Sequence, residues 1–185
     1  MTDAFAELGL ERRPWLDPQT IRSRYHELAA RAHPDKAGGD EAVLVRLNSA
    51  RRTLSSHGLR LSHLAALAFP GSLPPPAPAP DWDVFLRVAT VAGEAKSAAE
   101  KKARASSALE TAVAATKISA LKNELSNVER LTAAHRAELE SATREADRTW
   151  PSTGPDVLWK LAEQWTFWNR WNEALREAET LLASA

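Results

Sequence analysis

The chain has 185 residues, 24 Lys/Arg against 24 Asp/Glu, and a formal net charge of zero. That balance carries no large electrostatic footprint for nucleic acid, so no nucleic-acid partner is expected. The absence of cysteine excludes disulfides, thiolate metal sites and cysteine nucleophiles, and fits a reducing compartment.

The length has room for one domain or two small ones. The abundance of Ala, Leu, Glu and Arg, with few β-branched residues, predicts an all-α protein. The opening "MTDAFAELGLERRP" has an early acid and lacks the apolar core of a signal peptide. No apolar run approaches the roughly 20 residues that cross a bilayer. We therefore expect a soluble, cytoplasmic protein with no membrane partner.

In chain order, Asp3 caps a brief first helix that carries Phe5 and Leu8 on one side and closes at Gly9. Asp17 is a good N-cap and Pro18 fits the first helical position of a second helix. Its Ile21, Tyr25, Leu28 and Ala32 recur at steps of 4, 3 and 4, one apolar stripe. Arg22, Arg24 and Arg31 lie off that stripe and give the helix a basic outer surface. Asp40 caps a third helix, striped by Val43, Leu47, Ala50 and Leu54. Two matched stripes predict an antiparallel helical hairpin. A short fourth segment, "LRLSHLAAL", adds Leu59, Leu61, Leu64 and Leu67.

The hairpin turn reads "HPDKAGGD". Pro34 ends the helix and biases His33 away from α, so the loop is pre-organised. As a metal site, His33 and Asp35 supply at most two ligands, and His26, His57, His63 and His135 have no tight ligand spacing to them. As a catalytic dyad the pair lacks a neighbouring nucleophile. An ordinary turn and a docking tip remain. For docking, Asp35 offers a carboxylate to a partner's Arg or Lys, and His33 offers a donor and an acceptor.

The stretch "AFPGSLPPPAPAP" follows, with five prolines in its last seven residues. It predicts a stiff, extended linker over 71–80 between a head, 1–70, and a tail, 81–185. A proline-rich ligand for another protein is the alternative. In the tail, Val84, Val88, Val91 and Ala95 make one stripe. Ile118, Leu121, Leu125, Val128 and Leu139 make a second, and a break is expected between Ala98 and Ser107. A last helix from Asp156 to about Leu182 should bury Leu158, Leu161, Trp165, Trp168 and Leu175. Trp159, Phe167 and Trp171 would then cover a second helix or anchor a partner. The tail is expected to be a three-helix bundle or antiparallel coiled coil, with self-association open to it.

Tyr25, Leu28, the run His33-Pro34-Asp35-Lys36, Leu47-Asn48, Ala50 and Leu54 together resemble a J domain, the module of DnaJ-type co-chaperones. "FAELGL" resembles that family's first helix. The likeness covers about the first 57 residues, and Arg51 departs from it, because the family usually has an aromatic there. The resemblance implies a protein that is not an enzyme and needs no cofactor. It implies docking on a DnaK-type ATP-dependent chaperone through His33, Pro34, Asp35, Lys36, Arg22, Arg24 and Arg31, and stimulation of that chaperone's ATP hydrolysis.

No Gly/Phe-rich linker, zinc repeat or β-rich domain follows. "ERRPWLD", the segment "LRLSHLAAL" and the helical tail resemble the J-protein subfamily of iron–sulfur cluster biogenesis. That likeness implies an iron–sulfur cluster scaffold protein as client, bound through Phe85 and Leu86 on the first tail helix. Arg87 and Thr90 interrupt the apolar surface there, and Gly58 stands where the subfamily often has Pro. The alternatives are a J protein with an unrelated client and a structural coiled-coil adaptor.

Overall fold

The computed structural model describes residues 2–33, 40–74 and 81–185. Among them are seven helices and no strand: α1 (Ala4–Leu8), α2 (Pro18–Ala32), α3 (Glu41–Ser55), α4 (His57–Ala68), α5 (Trp82–Ala103), α6 (Ala108–Arg148) and α7 (Pro155–Ser184). The chain packs into two compact units. One holds the described residues of Met1–Pro78 with Glu140–Trp165; the other holds those of Ala79–Leu139 with Thr166–Ala185. Thus α6 and α7 each contribute to both. Within the 71–80 segment expected to be a linker, 75–80 lie outside the described residues.

In the first unit α1, α2 and α3 each start at an acidic cap. The Asp3 carboxylate accepts from the Phe5 and Ala6 N–H groups, Asp17 from Gln19, and Asp40 from Ala42 and Val43. These side chains satisfy donors that a helix start leaves open. Gly9 closes α1 in the left-handed region at φ 60°. A Cβ there would lie 2.7 Å from Nη2 of Arg24, so backbone and space both call for glycine. Phe5, Leu8, Ile21, Leu47, Ala50 and Leu54 are buried, and α3 packs against both α1 and α2.

The α4 segment buries Leu61, Leu64 and Ala65, but Leu59 is 46% exposed. Two residues along a helix is roughly 200° of turn, so Leu59 and Leu61 cannot share a face. The buried side chain between them is Arg60. Its Nε donates to the Pro14 carbonyl at 3.0 Å, Nη1 donates to the Leu54 carbonyl, and Nη2 lies 2.7 Å from Nδ1 of His57. Burial lowers its pKa to about 10, against the opposing pull of Asp147.

The same unit takes Leu158, Leu161, Ala162 and Trp165 of α7 into its interior. The Trp165 indole donates to Thr143 Oγ1 at 3.0 Å, and its ring stacks on His57 with centroids 4.2 Å apart. The Asp147 carboxylate accepts from Nε and Nη2 of Arg13, at 3.1 and 2.8 Å, and from the Trp15 N–H at 3.2 Å. The Arg144 guanidinium lies 3.8 Å from the Trp15 ring centroid.

In the second unit α5, α6 and α7 pack together. Val88, Val91, Ala95 and Ala98 meet Ile118, Leu121, Leu125 and Val128, and Trp171, Leu175, Ala178 and Leu182 complete the core. The break after α5 falls at 104–107, inside the expected interval. There Ser107 Oγ accepts from the Glu110 N–H, while the Glu110 carboxylate accepts from the N–H groups of Ser106 and Ser107. This reciprocal cap starts α6. The hydrogen bond from the Ser106 N–H, with those from its hydroxyl and from Ser107, holds the Glu110 pKa below its usual value.

One expectation for α7 needs correction. Trp171, not Trp168, is fully buried with Leu175. A single stripe through Trp165 would continue at Trp168, but α7 serves one core up to Trp165 and another from Thr166 onward. Trp168 is half-buried, its indole donating to the Thr132 carbonyl at 3.0 Å with Arg136 over its ring.

Candidate functional site

The first candidate surface is built on α2 and α3. At one end the Asp40 N–H donates to the Ala32 carbonyl at 3.1 Å. Further along, Tyr25 Oη donates to Asn48 Oδ1 at 2.7 Å, and the Arg51 guanidinium lies 4.7 Å from the Tyr25 centroid. These pairings fix an antiparallel hairpin. Arg51, the position that departs from the aromatic of the resembled pattern, thus covers an aromatic ring in place of supplying one.

His33 caps α2 with extended backbone, φ −62° and ψ 130°, and is exposed. That conformation is the one a following proline favours. Pro34, Asp35 and Lys36 lie outside the described residues.

The three arginines of α2 differ in their surroundings. Nη1 of Arg24 pairs with Glu27 Oε2 at 2.7 Å, and its Nε donates to the Leu8 carbonyl at 3.3 Å. Arg31 pairs with the other Glu27 oxygen, also at 2.7 Å. Glu27 therefore gathers Arg24 and Arg31 on one flank. Arg22 is exposed and, two residues before Arg24, lies roughly 200° around the helix from it. Arg24 also braces the end of α1, which leaves Arg31 and Arg22 as the more accessible cations. Such exposed pairs contribute little to stability, about 0–1 kcal/mol each.

The second candidate surface is the start of α5. Phe85 is 40% and Leu86 65% exposed, and Trp82, which sequence reasoning passed over, is 62% exposed. The Trp82 and Phe85 rings meet edge to face, 5.5 Å between centroids. Asp81 caps the helix by accepting from the Asp83 and Val84 N–H groups. The result is an aromatic cluster flanked by two carboxylates. The signal for Trp82 lay in its spacing: it falls off the Val84–Val88–Val91 stripe, together with Leu86.

Among the described residues no group of three or more His, Asp or Glu side chains is arranged to hold a metal ion, and no helix is long and apolar enough to cross a membrane. No protein-family model matches the chain, and no curated protein matches it significantly.

Proposed function

We propose that the protein is a J-domain co-chaperone that docks on a DnaK-type chaperone and stimulates its ATP hydrolysis. The observation that carries this reading is the α2–α3 hairpin with exposed, extended His33 at its end, directly before Pro34-Asp35-Lys36. The hydrogen bond between Ala32 and Asp40 supports it by closing the base of that loop. A pre-organised loop loses less entropy on docking. His33 and Asp35 supply the polar contacts, with Lys36, Arg31 and Arg22 steering toward an acidic partner. Arg24 acts by holding α1 and Glu27. The protein does no bond chemistry; it binds one chaperone conformation better than another.

In this reading the three helices of the second unit form a client-presenting bundle in the cytoplasm. The exposed Phe85 and Leu86, joined by Trp82, support a client face. An iron–sulfur cluster scaffold is the client suggested by the sequence resemblance. Titration of such a scaffold against wild type and Leu86→Asp tests that part alone. Saturable binding lost in the variant supports it, and no binding by wild type removes the scaffold while leaving the chaperone reading intact.

The chaperone reading is tested by affinity for the two nucleotide states. The full chain is expected to bind the ATP-loaded chaperone more tightly than the ADP-loaded form, because only differential affinity shifts a population. Equal affinity for both would overturn it.

A further inference from the structure

We propose that α5 pairs antiparallel with α5 of a second copy of this chain, along a face the bundle core does not use. The buried side of α5 is Val88, Val91, Ala95 and Ala98. On the opposite side Trp82, Leu86, Ala89, Gly93, Lys96 and Glu100 recur at steps of 4, 3, 4, 3 and 4, and all six are exposed. Those steps are the spacing of a two-helix coiled-coil seam, with Lys96 and Glu100 charging its last third. It is apolar in its first half and small in its middle. A Cβ placed on Gly93 would meet nothing within 4 Å, so the helix backbone is open to close approach there.

Charge selects a second copy, and selects the antiparallel sense. The start of α5 carries Asp81 and Asp83, whereas its end carries Lys101, Lys102 and Arg104. Asp83 and Arg104 are three heptads apart and so occupy the same flanking column. In an antiparallel pair that column faces its own counterpart, and flanking charges of this kind set orientation. Asp83 of each copy then meets Arg104 of the other, once on each side of the two-fold axis. A parallel pair would set like charges side by side.

The register that follows has a physical fit elsewhere. Leu86 packs over Ala103 of the second copy, and the aliphatic stem of Lys96 lies over the open Gly93. Trp82 falls beside the second copy's 104–107 connection, next to Leu109, which is 75% exposed. The aromatic cluster of one copy and the exposed leucine of the other thereby cover each other. The pairing involves no residue of the α2–α3 hairpin and stands independently of the chaperone reading. It does cover Leu86, so self-association and client binding at that face exclude each other.

Sedimentation equilibrium on the full chain, with helix content checked by circular dichroism, tests the proposal. Wild type is expected to show a concentration-dependent monomer–dimer equilibrium. Asp83→Arg and Arg104→Asp should each weaken the dimer by about tenfold or more, a change on the order of 1.4 kcal/mol, and the double exchange should restore it. Gly93→Arg, which meets open space in its own chain, should prevent dimerisation while the helix content is kept. A wild type that is monomeric at every concentration overturns the proposal. A dimer indifferent to all three single changes overturns it as well.

Discussion

Tyr25 and Asn48, 23 residues apart in sequence, share a 2.7 Å hydrogen bond that ties α2 to α3. With Arg51 resting on the same ring, this clasp holds the two helices in register behind His33. Its members are half-buried or exposed, so its worth is modest and measurable. Tyr25→Phe keeps the ring and the cation above it and removes only the hydroxyl. Urea unfolding should show a loss of about 1 kcal/mol. Tyr25→Ala, which also removes the ring, should cost more than the Phe variant. Identical midpoints for Tyr25→Phe and wild type would show that the hydrogen bond adds nothing.

Arg60 occupies the opposite regime. It is 1% exposed, and it donates to the Pro14 and Leu54 carbonyls and contacts His57. No buried side-chain polar atom among the described residues lacks a partner, so removing this guanidinium creates orphans where there were none. Desolvation works against the charge, as its lowered pKa records. We expect the orphaned carbonyls and lost packing to outweigh that relief, and Arg60→Leu to cost about 2–4 kcal/mol. Chemical denaturation measures it. An unchanged midpoint would mean that the hydrogen bonds only just offset the burial of the charge.

Acid should loosen α1 in two stages. His63 Nε2 accepts the Ala4 N–H at 3.0 Å, which requires that nitrogen to be unprotonated. Burial lowers the His63 pKa below 6.5; nearby Asp3 opposes this, while Arg12 and the N-terminal ammonium reinforce it. The unfolded chain therefore takes up the proton first as pH falls. Stability begins to drop below about pH 6.5 and levels once the folded-state pKa is passed. Asp3 acts later. Burial works to raise its pKa, but hydrogen bonds from Arg12 and from the Ala6 and Phe5 N–H groups bring it below 3.8. Its contribution is present above that value and is lost only as pH falls through the lower folded-state pKa. Thermal unfolding from about pH 7 to pH 5 should fall less steeply for His63→Gln than for wild type. Parallel curves would remove His63 from the account.

The helices were legible in the sequence because local chemistry and periodicity agreed. Asp3, Asp17 and Asp40 sit at caps, Pro18 at a helix start, and the 4-3-4 stripes of α3 and α5 mark their buried sides. What stayed hidden depends on distant partners. Arg60 reads as a surface residue within a leucine-rich segment. Only the folded chain brings the Pro14 carbonyl to it, 46 positions away. Asp147 likewise gives no sign that Arg13, 134 residues earlier, will grip it. In α7 the unbroken helical pattern concealed a change of core between Trp165 and Trp171, because periodicity reports that a helix is amphipathic but not how many cores it serves. The arginines of α2 looked alike by composition; Glu27 and the end of α1 set Arg24 apart from Arg22.

The most direct measurement of the central claim is the steady-state ATPase rate of a DnaK-type chaperone with wild type or His33→Gln added. His33 is exposed at the C-cap of α2, and equal urea midpoints for the two proteins make the rate a readout of docking. The account predicts a rate that rises with wild-type concentration and stays at the chaperone's basal level with the variant. Equal rates with the two proteins, whether both raised or both basal, would contradict it.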